Sequence, residues 1–316
     1  MNTPFVGQEK SIVALFSDIR GFSHMFEILP AKNVYIFTNR FFTSASKIIS
    51  KFKGKIDNII GDGLMAIWGH SGWSEKSPIF AVRTALEMRM ELLRENIQFK
   101  WKAHFPLEIG IGLAMGNALN CLVGPPEEAI DTYFGKPVIL ASRLGDMAKN
   151  NQILISQEIA EKVKKWAKLV EAAPTEIQGF KNKIKYYKVK GLMDFALKEG
   201  ERRKSSNIRF IVPEVIGMIF PKINSRKPAI LKNISATGAG IEIIPKEDTP
   251  LTPEEEIIID VKRFSIPGIS EIPGRIVQVR KLTDESDEER PLVQVGISFT
   301  DINNEKKEIL QRFHMI

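Results

Sequence analysis

Cysteine is almost absent: Cys121 is the only one in 316 residues. A single thiol excludes an intramolecular disulfide and suits a reducing compartment. Long apolar runs are missing too. No stretch approaches the roughly 18 apolar residues that a membrane-spanning helix requires. The N-terminal "MNTPFVGQEK" lacks the apolar core of a signal peptide. The expectation is a cytoplasmic protein without a membrane span. Internal repeats and low-complexity segments are absent as well. No stripe interleaves basic with aromatic residues as single-strand binders do, so no nucleic-acid partner is expected.

What is present is ordinary in amount and uneven in placement. Apolar residues make up 43% and charged residues 26%, as in soluble globular chains, and the length allows one large or two medium domains. The net charge is +7, and residues 1–200 carry 27 Lys/Arg against 20 Asp/Glu, while residues 201–316 carry 18 of each. A basic excess in the first part suits an anionic ligand, although a run such as "KVKKWAKL" (162–169) also reads as a solvated face.

Up to about residue 190, strand-like and helical runs alternate. "SIVALF" reads as a strand, and 31–52 as a helix with apolar residues three and four apart. Residues 54–69 read as two short strands around Gly61-Asp62-Gly63, a hairpin signal. Residues 77–96 form a helix with Ser77 as cap and Pro78 at its first position. Then come a strand at 107–116, a helix at 137–149, the strand "QILIS" and a helix over "QEIAEKVKKWA". This mixed order predicts an α+β sandwich with helices covering one main sheet. Residues 193–207 read as a charged linker. Beyond them, short strands separated by turn signals predict a small β-barrel, with an acidic loop at 283–291 and a closing helix. The domain limits are therefore 1–192, 193–207 and 208–316.

Two carboxylates stand out in the first domain. Asp18 ends an apolar strand, and Asp62 sits at the hairpin tip. Each alone is explained by turn chemistry. Together, a central strand beside a hairpin places two carboxylates at one sheet end, a pair able to hold two divalent ions that activate an attacking oxygen and neutralise phosphate charge. The turn after Asp18, with Gly21 and Phe22 opening a helix, offers backbone N–H groups to a polyphosphate.

"FSDIRGFSHMFE", "IDNIIGDGLMAIWG" and "DTYFGKPVILASRL" resemble the catalytic core of the class III adenylyl/guanylyl cyclases, in the same order and over residues 8–192. The resemblance implies a ferredoxin-like, two-layer α/β sandwich working as a head-to-tail homodimer with active sites at the interface. It implies that Asp18 and Asp62 bind two Mg²⁺ or Mn²⁺ ions, with the carbonyl of Ile19 as a further ligand. Arg143 is then the arginine that steadies the triphosphate, a task suited to a guanidinium. Thr132 and Asn58 occupy the two purine-reading positions. Asn58 stands where adenylyl cyclases have lysine and guanylyl cyclases glutamate, and an amide bonds either purine edge. Ile139 stands where the family has a ribose-binding asparagine and cannot make that bond. Gln178 occupies the usual place of a phosphate-binding lysine, and Lys181 or Lys183 is the substitute.

"LKNISATGAGIEI" and "VQVGISFTDIN" resemble a PilZ domain, the small barrel that binds cyclic di-GMP in bacteria. Asn233, Ser235 and Gly238 fit its [DN]-x-S-x-x-G motif. Arg202, Arg203 and Arg209 supply its arginine segment, with Arg203 and Arg209 two residues more widely spaced than the family's R-x-x-x-R. Arginines clamp phosphates and stack on guanine, while Asn and Ser bond polar edges.

Three functions follow. The first is a cyclase making 3′,5′-cyclic AMP from ATP, with GTP as the other candidate substrate, regulated by a PilZ domain sensing cyclic di-GMP. The second is a catalytically silent cyclase-like module that dimerises or senses nucleotide within a cyclic di-GMP receptor. The third is other phosphoryl chemistry at the metal pair. Intact Asp18, Asp62 and Arg143 favour the first; Ile139 and Asn58 favour the second.

Overall fold

The computed structural model describes residues 7–98, 107–125, 127–149, 151–193, 210–245, 249–262, 268–282 and 292–312. They fall into two compact units, Met1–Leu92 with Ala103–Lys190 and Leu93–Lys102 with Gly191–Ile316.

The first unit is built on β1 (Gly7–Arg20), whose residues Ile12 to Leu15 are fully buried. Both faces of this strand are covered, so it reads as a continuous apolar run and not as an alternation. A short helix α1 (Phe22–Ile28) leads to α2 (Ala31–Lys51), which buries Val34, Phe37, Phe41, Ala45 and Ile49. Their spacing of three and four residues is the single apolar stripe of a helix lying on a core. The hairpin follows as β2 (Lys55–Ile60) and β3 (Gly63–Trp68), then α3 (Ser77–Gln98). Trp68 is buried, and its indole N–H donates to the Phe52 carbonyl at 2.8 Å, which satisfies the polar end of a large core side chain.

The long β4 (Glu108–Val123) turns into β5 (Ile130–Phe134), and α4 (Lys136–Met147), β6 (Ile153–Ser156) and α5 (Gln157–Val163) follow. β7 (Ala167–Glu171) and β8 (Tyr186–Met193) complete the unit. The sheet order is β8-β6-β4-β1-β3-β2, with β5 on β4 and β7 on β8. β1 lies antiparallel between β3 and β4, and β4 runs parallel to β6. This is the expected α/β sandwich.

Local readings change in several places. The helix expected over "QEIAEKVKKWA" stops at Val163, because the Trp166 N–H turns back to the Val163 carbonyl at 2.8 Å and the chain re-enters the sheet as β7. Ser77 is the first helical residue of α3 and not a cap before it. The strand expected at 107–116 runs on to Val123, and β5, β7 and β8 are strands that the sequence reading lacks.

The second unit contains β9 (Phe210–Phe220), a 3₁₀ turn at Pro221–Ile223, β10 (Ser225–Ile234) and β11 (Gly238–Ile243). β12 (Glu256–Asp260), β13 (Glu271–Leu282), β14 (Leu292–Phe299) and α6 (Asn304–Arg312) follow. The order β10-β11-β14-β13-β12-β9 closes through the β9–β10 pairing, which removes open edges. Met218, Phe220, Leu231, Ile241, Ile259 and Val295 fill the interior. The barrel is the one expected. The stretches 193–207 and 283–291 fall, apart from Met193, outside the described residues.

One buried charge marks the second unit. Glu242 on β11 has no exposed side-chain surface and takes a two-bond grip from Arg94, Nε to Oε2 at 2.6 Å and Nη2 to Oε1 at 2.7 Å, with Lys232 at 3.1 Å. Burial alone would push this carboxyl up, but the bonds and charges of Arg94 and Lys232 outweigh it and hold the group below its ordinary 4.5. Its stabilisation is therefore present above that value and lost as pH falls through the lower folded one. Arg94→Leu leaves the buried charge half-compensated and should destabilise this unit by about 3 kcal/mol, read as a lower urea midpoint at pH 7. The difference from wild type should shrink as the pH drops past the carboxylate range; a gap that persists at low pH would assign the loss to packing instead.

Candidate active site and nucleotide-binding sites

β1 and the hairpin bring the two carboxylates together. Asp18 faces Gly63 across the β1–β3 ladder, and Asp62 precedes Gly63 in the turn. Gly61 supplies the left-handed backbone of that turn, with φ 61°. The side chains of Asp18 and Asp62 are within hydrogen-bonding reach of each other. Burial first, then the bond and the charge of Asp62, raise Asp18 from 3.8 to about 6, while Arg20 opposes the shift. Arg20 Nη1 lies 2.6 Å from Asp18 Oδ2. Two carboxylates pressed together repel each other, and a cation between them relieves the repulsion. All-oxygen donors of this kind fit Mg²⁺ or Mn²⁺. Among the described residues no group of three or more His, Cys, Asp or Glu gathers as an alternative metal site. Gly21 stands with φ 80° at the head of α1, and Phe22 packs edge-on against Phe26.

α4 carries the next residues. Leu140, Ala141 and Leu144 are buried, while Ile139 and Arg143, one turn apart, are partly exposed. Ile139 is 48% exposed. Arg143 has its nearest carboxylate, Asp146, at 3.5 Å, and its Nε is buried with no hydrogen-bond partner. The guanidinium is thus not consumed by the fold. α4 sits directly on the sheet because β4 is glycine there: a Cβ on Gly112 would lie 2.1 Å from the Gly145 backbone nitrogen.

Thr132 lies half-buried on β5, opposite Cys121 of β4. Its hydroxyl donates to Asp57 Oδ2 at 2.7 Å. Asn58, the residue that spacing from Gly61 selects, is exposed and carries no such bond. The difference is a bulge: the β2–β3 register shifts between Ile56 and Asn58, leaving Asp57 without a partner across the ladder. Asp57 and Arg20 are the residues that sequence reasoning missed. Lys181 and Lys183 lie on an exposed loop after β7, around a cavity of about 530 Å³ that also includes Gln178 and Phe180. No hydrogen bond or ion pair among the described residues links the Asp18–Asp62 pair, the Thr132–Asp57 pair and Arg143 to one another.

In the second unit a cavity of about 680 Å³ opens on β10, β11, β13 and β14, with Asn233, Ser235, Gly238, Gln278, Arg280 and Gln294 on its walls. The Asn-x-Ser-x-x-Gly motif is the turn that shapes it. Ser235 N donates to the Gly238 carbonyl at 2.8 Å, its hydroxyl to the same oxygen at 3.1 Å, and Thr237 N to Ser235 Oγ at 3.4 Å. A Cβ on Gly238 would meet the Ile297 carbonyl at 2.4 Å, and one on Gly240 would meet Asn233 Oδ1 at 2.8 Å. Arg202, Arg203 and Arg209 lie outside the described residues.

A mixed sheet with paired carboxylates at one strand end, followed by a closed barrel, is the architecture expected of a nucleotide-cyclase catalytic domain with a PilZ domain. The comparisons name the family. Residues 6–191 match the adenylate and guanylate cyclase catalytic domain, and residues 202–315 match the PilZ domain. The chain belongs to the adenylate and guanylate cyclase family. It is 34% identical over 157 residues to the adenylate cyclase, terminal-differentiation specific, of Dictyostelium discoideum, covering 49% of this chain and 7% of that one. It is 28% identical over 156 residues to an adenylate cyclase of Anabaena cylindrica, covering 48% of this chain and 30% of that one. The chain thus spans under a third of the length of these curated relatives. Among solved structures, the adenylyl cyclase CyaB from P. aeruginosa aligns with TM-score 0.55 and 31% identity, covering 58% of this chain and 95% of that one. The guanylyl cyclase Cya2 aligns with TM-score 0.56 and 25% identity, covering 62% and 97%. No helix among the described residues is long and apolar enough to cross a membrane.

The contact of α4 with β4 gives a direct test. Gly112→Ala should displace α4 and cost about 3 kcal/mol, the upper range for an overpacked core, seen as a lower melting temperature. Unchanged melting would mean that α4 does not rest on β4 through this glycine.

Proposed function

We propose that the first domain converts a purine nucleoside triphosphate, ATP in the primary reading, to its 3′,5′-cyclic monophosphate and pyrophosphate. The observation that carries this reading is the Asp18–Asp62 pair, with Asp18 raised to about 6 by burial and by its neighbour. A fold kept only for its shape gains nothing from two adjacent carboxylates. Divalent cations, when bound, supply Lewis acidity and neutralise phosphate charge. Asp18, Asp62 and the Ile19 carbonyl would hold them. Arg143 pairs with the triphosphate as charge moves toward the leaving group, and Lys181 or Lys183 adds a phosphate contact. Thr132, with Asn58, meets the purine edge. The 3′-oxygen forms a bond to the α-phosphorus and releases its proton, while the bond from that phosphorus to the bridging oxygen of pyrophosphate breaks.

The active unit is a homodimer. Ile60, Leu122, Ile130 and Phe134 at the two hairpins are exposed by 74%, 57%, 59% and 50%. Apolar side chains grouped on strand ends in this way favour a covered face. The second domain binds cyclic di-GMP in the cavity beside Asn233 and Gly238, with arginines from the segment joining the domains, near residues 193–207. Binding there regulates turnover. A silent, nucleotide-sensing module is the second reading, and the exposed Ile139 at the ribose position is the observation that favours it.

Asp18→Asn and Asp62→Asn should each lower cyclic-nucleotide production by at least about 10³-fold with the fold retained, as read by circular dichroism, and with activity assayed by chromatography with ATP or GTP and Mg²⁺ or Mn²⁺. Wild-type protein that yields no cyclic nucleotide under any of these conditions establishes the silent module. Calorimetric titration should show cyclic di-GMP binding that weakens at least about tenfold in Asn233→Ala. No heat up to about 100 μM would leave the barrel a contact module.

A further inference from the structure

The Thr132–Asp57 pair has a consequence for base selection. Asp57 is half-buried, and burial pushes its carboxyl up, while the Thr132 hydroxyl and the Lys55 charge oppose the shift. Its Oδ2 takes the Thr132 hydroxyl hydrogen at 2.7 Å, and its Oδ1 is buried with no partner. An orphaned buried oxygen asks for an explanation. The neighbouring acid is differently employed: Asp131 accepts from Asn120 Nδ2 and lies 3.3 Å from Lys55 Nζ. Thr132 thus has one carboxylate partner, and that partner is an acceptor only.

A hydroxyl has one hydrogen and two lone pairs. With the hydrogen committed to Asp57, Thr132 Oγ1 offers only lone pairs to whatever faces it. We infer that Asp57 is a specificity-determining positioning residue, which fixes Thr132 as an acceptor and so selects adenine, whose 6-amino group donates, over guanine, whose 6-oxo group accepts. This rests on the proposed reading that Thr132 meets the purine edge. Selection then does not depend on a charged residue at Asn58: an amide rotates to suit either base, so the fixed polarity comes from Thr132. A site with one committed acceptor rejects the opposing acceptor because both would be left unpaired.

Asp57→Asn is nearly isosteric and changes the polarity. The amide N–H can donate to Thr132 Oγ1, which frees the hydroxyl hydrogen to meet a 6-oxo group. The ATP-to-GTP ratio of kcat/KM should fall about tenfold or more, mainly through a gain for GTP. Damage to the fold lowers both substrates alike and leaves the ratio unmoved. The same ratio is read without turnover by displacing a fluorescent ribose-labelled nucleotide with non-cyclisable ATP and GTP analogues. Thr132→Val should abolish the preference, and Asp57→Asn should add nothing in that background. If Asp57→Asn fails to fold, the Thr132→Val ratio decides alone, with a retained preference overturning the inference. A ratio unchanged within twofold in folded Asp57→Asn also overturns it. Wild-type protein that binds neither analogue overturns the reading of the pocket itself.

Discussion

One guanidinium ties together the elements that carry the candidate active site. Arg20 ends β1 two residues beyond Asp18 and bonds Asp18 Oδ2 through Nη1 at 2.6 Å. Its other nitrogens reach the last carbonyls of α4: Nη2 to Gly145, to Asp146 at 3.2 Å and to Ala148 at 3.0 Å, and Nε to Ala148 at 3.2 Å. Carbonyls of a last helical turn are under-satisfied by their own helix, although Gly145 also accepts from the Ala148 N–H at 3.1 Å, and a cation there meets the negative end of the helix dipole. The strand bearing Asp18 and the helix bearing Arg143 are thereby fixed to each other. Space for this is made by Gly110, where a Cβ would lie 2.5 Å from Arg20 Nη2. The two glycines of "EIGIG" are the condition for the arrangement: Gly110 admits the guanidinium and Gly112 admits the helix.

How much of this was legible in the sequence depends on how local each signal is. The stripe of α2 and the Gly61-Asp62-Gly63 turn are periodic or compositional, and both were read correctly, as were the family and the fold class. Arg20 was invisible because its partners at the end of α4 are 125 to 128 residues away. Asp57 was missed for a different reason. Counting back from Gly61 assumes an unbroken strand, whereas the bulge at Asp57 changes which side chain faces Thr132. β5 itself is short, and its pairing with the outer half of β4 gives it strand form. The helix read past Val163 shows the same override, since pairing with β8 draws Ala167–Glu171 into the sheet.

The barrel shows how a binding motif can be structural and chemical at once. Ser235 spends its hydroxyl on the turn, accepting from Thr237 N and donating to the Gly238 carbonyl. Gly238 and Gly240 are small because the Ile297 carbonyl and the Asn233 amide approach them closely. In the proposed cyclic di-GMP site, Ser235 therefore shapes the wall more than it reaches the ligand. Arg280, which no motif selected, adds a cation to the same cavity. In the proposed site this exposed guanidinium on β13 would be a second source of phosphate and guanine contacts, which would relax the demand on arginine spacing before the barrel.

The proposed homodimer and the separation of the site residues are two sides of one constraint. Within one chain the carboxylate pair, the Thr132–Asp57 pair and Arg143 share no bond. Arg143 keeps a buried Nε without a partner, and the hairpins hold apolar side chains in water. Each feature carries a cost in the isolated chain: an unsatisfied donor, exposed apolar area, and like charges at Asp18 and Asp62. Under the proposed function, a triphosphate with its cations would offset the charge and donor costs, and a second copy would cover the apolar area. Substrate and partner would thus remove different penalties. Binding of either then favours binding of the other, wherever the two are completed together.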